Sequence, residues 1–391
     1  MALRVPRSVV LYMAGATLVR LADEGARVAL VFLAVEKGSG AGEGGLLTAA
    51  FLVPHVIAAP MLGNLIDRAK APMQVVALGI MLAALSLIAA ALLIGHAPAA
   101  LVAAILFAGG CGGPAITGGL SSQLTSFVEA DEVPRAFGFD GLTYNVAGIV
   151  GPALAAAIVA IASATIATLS LAALAVIGSL TLMALRGKAQ RAAPANPTSL
   201  LGGLHAIAAN RALWATTLAN AITAIGMGAL PVVLVATLAA TSEPERAGWL
   251  LSVMAIGAVA GSFLWIGRPA SVARAPLVIA ASSVLTGLSV ASLAPIGPAS
   301  SWAVASFALA GAGSAVAIGA TFLIRDAGSP DEARAQVFSL AAGAKVTAGA
   351  QGAALGGTLF SLPAPMLWVA AAPLIAGLTL VPLIGGRPSR S

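Results

Sequence analysis

The sequence contains few charged, aromatic and cysteine residues. Charged residues make up 9% and aromatic residues 5% of the 391 residues, and the mean hydropathy is +1.00. A soluble domain usually carries about a quarter charged residues, which excludes a soluble enzyme and a nucleic-acid-binding protein. One cysteine and three histidines make neither a disulfide framework nor a four-ligand zinc site. We therefore expect no metal and no cofactor.

Long hydrophobic runs fill almost the whole chain. A helix that crosses the bilayer needs about 20 apolar residues, and Pro, Gly and charged residues divide the chain into twelve such runs. We predict an all-α polytopic membrane protein. Its twelve transmembrane helices are expected near residues 8–36, 44–66, 72–95, 98–128, 134–162, 164–186, 212–240, 247–267, 275–295, 299–324, 334–362 and 364–385.

The basic residues are distributed unequally between the two sides of these spans. Fifteen of the twenty Lys and Arg residues lie on one side, and only Lys37 and Arg246 lie on the other. Cytoplasmic loops carry the excess of Lys and Arg, so both termini are predicted to be cytoplasmic. The net charge of +6 is then explained by membrane topology, with the lipid bilayer and not nucleic acid as partner.

An internal repeat relates the two halves of the chain. A shift of 201 residues places Gly110 on Gly311 and Gly148 on Gly349, and the longest polar stretch lies near the midpoint. Two copies of one six-helix unit explain this pattern. We predict two pseudo-symmetric bundles, at residues 1–186 and 212–391, with a cytoplasmic central loop at residues 187–211.

The loop after the second predicted span contains a motif. It reads GNLIDR over residues 63–68 and resembles the signature loop of the major facilitator superfamily, G-x-L-x-D-R followed by basic residues. Two six-helix halves, a basic central loop and cytoplasmic termini also fit that family, so the resemblance covers the whole chain. It implies a transporter in a bacterial inner membrane and not an enzyme. We expect a monomer that takes a small-molecule substrate.

The resemblance also implies a gate. In that family the Asp and Arg of this loop join charges and helix ends on neighbouring spans, which closes the cytoplasmic side while the transporter faces outward. The equivalent loop of the second half has no acid, so this latch is predicted in the first half only. The implied gating residues are Gly63, Asp67 and Arg68, with Glu129 or Asp131 as the partner of Arg68, and Asp140 near the cytoplasmic end of span five.

The fifth predicted span resembles a relaxed form of the superfamily's exporter motif, G-x8-G-x3-G-P-x2-G-G. Alanine replaces three of the glycines. Small residues at this spacing let helices pack closely, and helix packing alone also explains them. The Gly-Pro pair favours export, and the chain looks most similar to bacterial efflux proteins, including siderophore exporters. The motif positions are Gly138, Ala147, Gly151, Pro152, Ala155 and Ala156.

The first predicted span carries four charges near its middle: Arg20, Asp23, Glu24 and Arg27. Each would cost about 2.5–3.5 kcal/mol if unpaired at a helix centre, so they must be paired or hydrated. Helical spacing allows the pairs Arg20–Glu24 and Asp23–Arg27. The cluster is either a structural ladder or part of a cavity where a carboxylate carries a proton. Spacing does not decide which acid titrates, and we favour Asp23 because the longer Glu24 side chain reaches either arginine.

Other polar residues are predicted around one central chamber. Lys345 lies near the middle of span eleven and needs a counter-charge, for which Asp23 and Glu24 are the nearest acids of the chamber. His55 is either a proton shuttle or a hydrogen-bonded packing residue. In this superfamily the first and fifth spans of each half commonly line the chamber. The resemblance therefore implies the set Arg20, Asp23, Glu24, Arg27, Asn145, Asn220 and Lys345, with Tyr144 as the repeat counterpart of Lys345.

Three functions fit these features. The leading prediction is a secondary transporter that exports a small molecule against inward proton flow, since the sequence has no nucleotide-binding motif. An importer or uniporter of a polar or anionic metabolite would bind its substrate through Arg20, Arg27 and Lys345. The third is a transport-inactive sensor or lipid-handling scaffold.

Overall fold

A computed structural model describes residues 7–185, 199, 201–239 and 246–384. These residues form helices joined by turns, and no β-strand occurs among them. The helices are α1 (Arg7–Glu36), α2 (Gly40–Leu52), α3 (Pro54–Arg68), α4 (Pro72–Leu93), α5 (Ala99–Gly110), the one-turn α6 (Leu120–Ser122), α7 (Val133–Ile161), α8 (Ala164–Met183), α9 (Gly202–Ala209), α10 (Arg211–Ala239), α11 (Arg246–Gly267), α12 (Ala275–Ala291), α13 (Trp302–Gly328), α14 (Arg334–Phe360) and α15 (Pro365–Thr379).

Ten helical segments within the described residues are long and apolar enough to cross a membrane. Helices α1 and α14 have 30 and 27 residues and are also long enough, but α1 contains six charged residues, four of them near its middle, and α14 is rich in Gly and polar residues. Together these twelve segments match the twelve predicted spans to within a few residues. The predicted all-α, multi-pass membrane fold is confirmed.

Part of the topology prediction lies outside the described residues. Of the predicted central loop, only Ser199 and the residues from Leu201 onward are described. The side of the membrane on which the termini lie therefore stays a prediction. The basic residues outside the described part are Arg4, Arg186, Lys188, Arg191, Arg387 and Arg390.

The chain divides into two compact units. Helices α7 and α14 each contribute residues to both units. The division of the sequence at the central loop stays a prediction. Unit 1 comprises Met1–Ala130, Val146–His205 and Pro330–Gly343, and unit 2 comprises Asp131–Asn145, Ala206–Ser329 and Ala344–Ser391.

The two units use the same four helix pairings. In unit 1, α1 packs on α8, α4 packs on α8 and α5, and α2 packs on α5. In unit 2, α10 packs on α15, α12 packs on α15 and α13, and α11 packs on α13. These helices occupy equivalent places in the two halves of the sequence, so the pairings agree with the internal repeat.

Repeated glycines make close packing possible in both units. A side chain at Gly110 would overlap the carbonyl oxygen of Phe51, and a side chain at its repeat partner Gly311 would overlap that of Met254. Small residues at helix contacts let backbones approach closely in membranes, where packing replaces the hydrophobic driving force. The glycine repeat of the sequence therefore marks equivalent helix crossings.

Candidate functional site

Asp67 caps the first turn of helix α14 within unit 1. Its Oδ1 accepts a hydrogen bond from the backbone N–H of Ala335 (2.8 Å), and its Oδ2 accepts one from Gln336 (3.0 Å). The first N–H groups of a helix have no intrahelical partner and carry partial positive charge, so a carboxylate stabilises this helix end. The structure thus places Asp67 at a helix end of the kind the family motif implies, and its gating role stays a prediction.

Gly63 allows α14 to approach α3. A Cβ atom at this position would lie 2.6 Å from Cα of Gln336 and 2.8 Å from its backbone nitrogen. Such distances are shorter than contacts between real atoms, so any side chain would push the start of α14 away from Asp67. Gly63 and Asp67 of the motif therefore serve a single contact.

The start of helix α9 joins the same contact. The fully buried Gln336 accepts a hydrogen bond at Oε1 from the N–H of Gly203 (2.7 Å), and its Nε2 donates to the carbonyl oxygen of Ser199 (3.4 Å). Asn64 Nδ2 donates to the same carbonyl oxygen (3.5 Å). No sequence motif points to Gln336, because its role depends on two segments far away in the chain.

The other predicted gating residues have different environments. Arg68 and Glu129 are exposed in unit 1, and Asp131 is exposed in unit 2. Asp140 is fully buried in unit 2. The pairing of Arg68 with Glu129 or Asp131 stays a prediction.

Trp265 of α11 contacts the first turn of α7 in unit 2. Its indole N–H donates to the carbonyl oxygen of Pro134 (2.8 Å), and its side chain is buried. Gly138 and Gly319 make room for the ring, since a Cβ atom at either would lie 2.6 or 2.7 Å from an indole atom. A shift of 201 residues aligns Asn64 with Trp265. The motif loop of the second half has no acid, and there the neutral Trp265 contacts the helix start instead. In the sequence, only the repeat alignment indicates this contact.

The exporter-like positions of α7 contact two different helices. Gly151 packs against α1, where a Cβ atom would lie 2.8 Å from the carbonyl oxygen of Leu21, and Gly138 packs against α11. The helix continues through Pro152 to Ile161. Close packing is thus present, and the link to export stays a prediction. Of the remaining motif positions, Ala147 and Ala155 are buried and Ala156 is exposed.

The charges of α1 form a cluster in unit 1. Arg27 pairs through Nη2 with Asp23 Oδ2 (2.9 Å) and through Nη1 with Glu24 Oε2 (3.0 Å). Asp23 is only 4% exposed. Arg20, which is 2% exposed, donates to Ser121 Oγ (3.1 Å). The predicted Asp23–Arg27 pair is therefore present, and one guanidinium serves two carboxylates.

His55 of α3 lies next to this cluster. Its Nε2 is 3.9 Å from Asp23 Oδ1, which is too long for a hydrogen bond. Within the described part of the chain, neither Asp23 Oδ1 nor either ring nitrogen of His55 has a hydrogen-bond partner. The imidazole is 3% exposed and packs edge-on to Phe51. Buried polar atoms without partners are rare, and a role of these atoms in proton transfer stays a prediction.

Unit 2 contains a cavity of about 230 Å³. It is lined by Asn145 of α7, Asn220 of α10 and Lys345 of α14, three of the residues that the sequence assigns to the central chamber. The other chamber residues, on α1, belong to unit 1. The lining also contains residues that no sequence motif singles out, among them Thr223, Met227, Met254, Ser283, Thr286 and Ser314.

Both asparagine side chains of the cavity donate hydrogen bonds to other groups of the protein. Asn145 Nδ2 donates to Ser262 Oγ (2.9 Å). Asn220 Nδ2 donates to the carbonyl oxygen of Thr216 (2.8 Å) and to Thr321 Oγ1 (3.1 Å). The two amide groups are therefore fixed in orientation before any solute binds.

Tyr144 and Arg325 have surroundings different from those that the sequence predicts. Tyr144 packs on Phe322, with ring centroids 5.9 Å apart, and is not among the described residues that line the cavity. The guanidinium of Arg325 lies 5.7 Å from the same ring, and Arg325 is 3% exposed. Arg325 is one of the fifteen basic residues that the sequence places on the cytoplasmic side of the spans. Its burial was not predicted, because it depends on neighbouring helices. Lys345 belongs to unit 2 and Asp23 and Glu24 belong to unit 1, and their pairing stays a prediction.

The fold and these sites define a class of protein. This is a multi-pass helical membrane protein whose two units share one pattern of helix pairing, with a partly buried charge cluster in one unit and a cavity lined by polar and apolar residues in the other. Residues 12–240, more than half of the chain, match the family described as the Major Facilitator Superfamily. The chain belongs to this superfamily, and the protein is a transporter and not an enzyme.

Solved structures of distant relatives share the fold. A bacterial homologue of the iron transporter ferroportin, in an outward-facing state, has a TM-score of 0.79 at 17% identity, covering 97% of this chain and 99% of that chain. The E. coli fucose:proton symporter has 0.76 at 13%, covering 96% and 98%. A human organic anion transporter has 0.78 at 14%, covering 96% and 100%. The comparison with curated proteins found no match.

Proposed function

We propose that the protein is a proton-coupled antiporter that exports a small molecule by alternating access. The observation that carries the coupling is the Asp23–Arg27–His55 cluster of unit 1. Asp23 Oδ1 is buried, has no hydrogen-bond partner in the described part of the chain, and lies beside an imidazole without partners. An acid and an imidazole in this arrangement can take up and release one proton.

The sharing of Arg27 supports this role for Asp23. Arg27 contacts both Asp23 and Glu24, so protonation of Asp23 leaves the guanidinium with a carboxylate partner. A buried charge that loses its only partner is strongly destabilising. Titration of one acid in a shared cluster avoids that cost, and we assign the proton to Asp23 and the permanent ion pair to Glu24.

The gate would be provided by the helix ends. In this proposal the Asp67 contact with α14 closes the cytoplasmic side, and it opens when the transporter turns inward. The outward direction is supported by the Gly-Pro pair at Gly151 and Pro152, through its resemblance to the exporter motif. A solved structure with a similar fold is that of a fucose:proton symporter, and this supports proton coupling in the proposal.

Inverted membrane vesicles test the proposal. A thermal-shift screen of small metabolites selects a solute, and its labelled form is then supplied to vesicles with an acidic interior. An antiporter accumulates the solute inside the vesicles while protons leave down their gradient, in proportion to the solute taken up. Dissipation of the gradient with a protonophore should abolish the accumulation.

Other outcomes identify the alternative functions. Equal equilibration with and without the gradient would show a uniporter, and exclusion of solute by the acidic interior would show a symporter. Binding in the screen without any flux would show a sensor or scaffold. Each of these results contradicts the proposed antiport.

A further inference from the structure

The fourth span is not a continuous α-helix. Helix α5 ends at Gly110, and a π-helical segment, Ala115–Gly119, precedes the one-turn α6. Pro114, which has no N–H group, lies directly before this π segment. A π-helix pairs each N–H with the carbonyl five residues earlier instead of four, and such segments are frequent at functional sites. A shift of the hydrogen bonds by one residue therefore changes the winding without unfolding the span.

The repeat partner of the π segment is an ordinary α-helix. A shift of 201 residues aligns residues 115–119 with residues 316–320, which lie inside α13. Helices α5 and α13 make equivalent pairings in their units, so the shared packing does not require a π segment. The charge cluster of α1 is a feature that differs between the units, since α10, the repeat partner of α1, contains Arg211 as its one charged residue.

Arg20 connects α1 to the π segment. Its Nε donates to the carbonyl oxygen of Ile116 (3.4 Å), and its Nη2 donates to Oγ of Ser121 (3.1 Å). Ile116 lies in the π segment and Ser121 lies in α6. One guanidinium therefore spans the junction between the two, and it is 2% exposed.

His55 brings the charge cluster against the other end of the segment. A Cβ atom at Gly113 would overlap the imidazole ring, so the ring lies directly on the backbone of span four. The Nε2 atom of the same ring is 3.9 Å from Asp23 Oδ1. A movement of the imidazole thus changes its distance from the acid and its contact with Gly113 together.

Gly118, inside the π segment, packs on α14. A Cβ atom at Gly118 would overlap the backbone of Phe338 and Ser339. These two residues lie one helical turn after Ala335, whose N–H donates to Asp67. All of these residues belong to unit 1. A change of winding in the π segment therefore displaces α14 next to the contact that Asp67 makes.

We propose that the π segment of span four transmits the protonation state of Asp23 to the start of α14, with Arg20 as the positioning residue that holds the segment in register. This link rests on the proposed proton coupling. It adds the element through which the charge cluster acts on the gate, and the cavity of unit 2 takes no part in it.

The steps of the link follow the contacts. Protonation of Asp23 weakens its ion pair with Arg27, and the imidazole beside it moves against Gly113. The π segment then changes its winding, and Gly118 shifts the start of α14. Interfaces between closely packed helices change between discrete arrangements because their backbones leave no free space.

The ionisable groups around Asp23 are few. Helices α4 and α8, which pack on α1, contain none. Because other groups also titrate, a substitution at constant pH is needed to isolate Asp23. The ionisable residues of the other elements around it are Arg20, Glu24 and Arg27 on the middle of α1, Glu43 on α2, His55 on α3 and Cys111 on span four.

Hydrogen exchange of the detergent-solubilised full chain tests the link without a solute or a membrane. Asp23→Asn imitates the protonated acid. At the same pH, the amides of Ala335 and Gln336 should exchange about three- to tenfold faster in Asp23→Asn than in the wild type, as expected when one hydrogen bond is lost. Glu24→Gln should match the wild type. Unchanged exchange in α12 of unit 2 shows that each variant is folded.

Two further variants locate the link in span four. Arg20→Lys keeps the charge but replaces the fork that reaches two acceptors by a point charge. Ser121→Ala removes one of the two acceptors and leaves Arg20 in place. In either background, the added Asp23→Asn should change the exchange at the start of α14 by less than it does in the wild type. Ser179→Ala, which removes a buried hydrogen bond to Ala77 in the same unit, should leave the response complete.

Equal exchange at the start of α14 in the wild type and in Asp23→Asn would overturn the link, and so would a complete response in Arg20→Lys or in Ser121→Ala. If Asp23→Asn abolishes gradient-driven accumulation without changing this exchange, the antiport stands and the link fails. If the exchange responds but no gradient-driven flux occurs, the link stands and the antiport fails.

Discussion

Three charged residues in the described part of the chain each lie next to a group that stabilises the charge. Arg27 holds two carboxylates, and the carboxylate of Asp67 meets backbone N–H groups. The guanidinium of Arg325 lies over an aromatic ring. In a bilayer an unpaired charge is costly, so each of these residues is either part of a structural contact or part of the transport cycle. Substitutions that keep size and remove charge separate the two roles.

Asp23→Asn should abolish solute accumulation driven by a pH gradient and leave solute exchange at equal pH intact. The amide has nearly the same size and can accept a hydrogen bond from Arg27, but it cannot carry a proton. Labelled-solute uptake into inverted vesicles, with and without the gradient, measures both activities.

Glu24→Gln is the matched control for that experiment, because it removes the neighbouring acid from the same arginine. It should retain gradient-driven accumulation. Full accumulation in Asp23→Asn would remove Asp23 from the coupling mechanism, and the same result for both variants would leave the cluster with a structural role only.

Gly63→Ala should lower the melting temperature, because the added Cβ atom would lie 2.6 Å from Gln336 Cα. Overpacking of this kind costs about 1–3 kcal/mol. Thermal unfolding in detergent measures the effect. Gly357→Ala on the same helix as Gln336 has no neighbouring atom within 4 Å of the new Cβ and should cause no loss. Equal melting temperatures for the two variants would contradict the close approach of α14 to α3.

The two units stabilise the starts of equivalent helices in different ways. The first turn of α14 meets a carboxylate, whereas the first turn of α7 meets an indole N–H. The carboxylate interacts with the positive end of a helix dipole. The indole instead binds a backbone carbonyl. Equivalent helix starts of the repeat are thus contacted by a carboxylate in unit 1 and by a neutral indole in unit 2.

Asp67→Asn should slow transport about tenfold and leave solute affinity within about twofold of the wild type. An asparagine can accept from one backbone N–H, but it loses the charge that interacts with the helix end, a contribution of about 1–2 kcal/mol. The contact biases the populations of two states and does not build the binding site. Transport rates in vesicles and solute affinity in detergent test this. An equal loss of affinity would contradict a gating role.

Trp265→Phe should weaken the contact with α7 by about 0.5–1.5 kcal/mol, because the phenyl ring keeps most of the buried surface and lacks the N–H donor. Hydrogen exchange of the amides in the first turn of α7 should become faster, while exchange in α14 stays unchanged. Trp302→Phe, at an exposed tryptophan of the same unit, is the control. Unchanged exchange at α7 would show that the indole hydrogen bond does not stabilise this turn.

The whole molecule is organised by its repeat and by its charge distribution. Both units use the same four helix pairings, and the basic residues of the sequence concentrate on one side of the spans. The repeat of the sequence agrees with this shared pattern of helix pairing. The charge distribution predicts the orientation of the protein, because cytoplasmic loops carry the excess of Lys and Arg.

Cysteine labelling of intact cells tests this orientation. In a Cys111→Ser background, Lys37→Cys should react with a membrane-impermeant maleimide from outside, and Lys70→Cys should react only after the cells are opened. Both loops are short, so the two positions report on opposite ends of the first spans. The reverse pattern would invert the predicted topology.

Composition and periodicity determined the class and the helices of this protein. Twenty or so consecutive apolar residues leave a backbone no stable state in the bilayer other than a helix, because every N–H and C=O group must be paired. For that reason the twelve spans were predictable to within a few residues. The GNLIDR motif and the glycine repeat likewise indicated the family, since close helix crossings demand glycine at set positions.

Only the tertiary structure decided which side chains meet. Asp67 contacts Ala335 and Gln336, which are 268 and 269 residues away in sequence, and Trp265 contacts Pro134, which is 131 residues away. The burial of Arg325 and the division of the predicted chamber residues between two units also depend on neighbouring helices. Sequence spacing restricts contacts along one helix to the same face, but a contact between helices depends on how distant segments pack, and no local pattern records it.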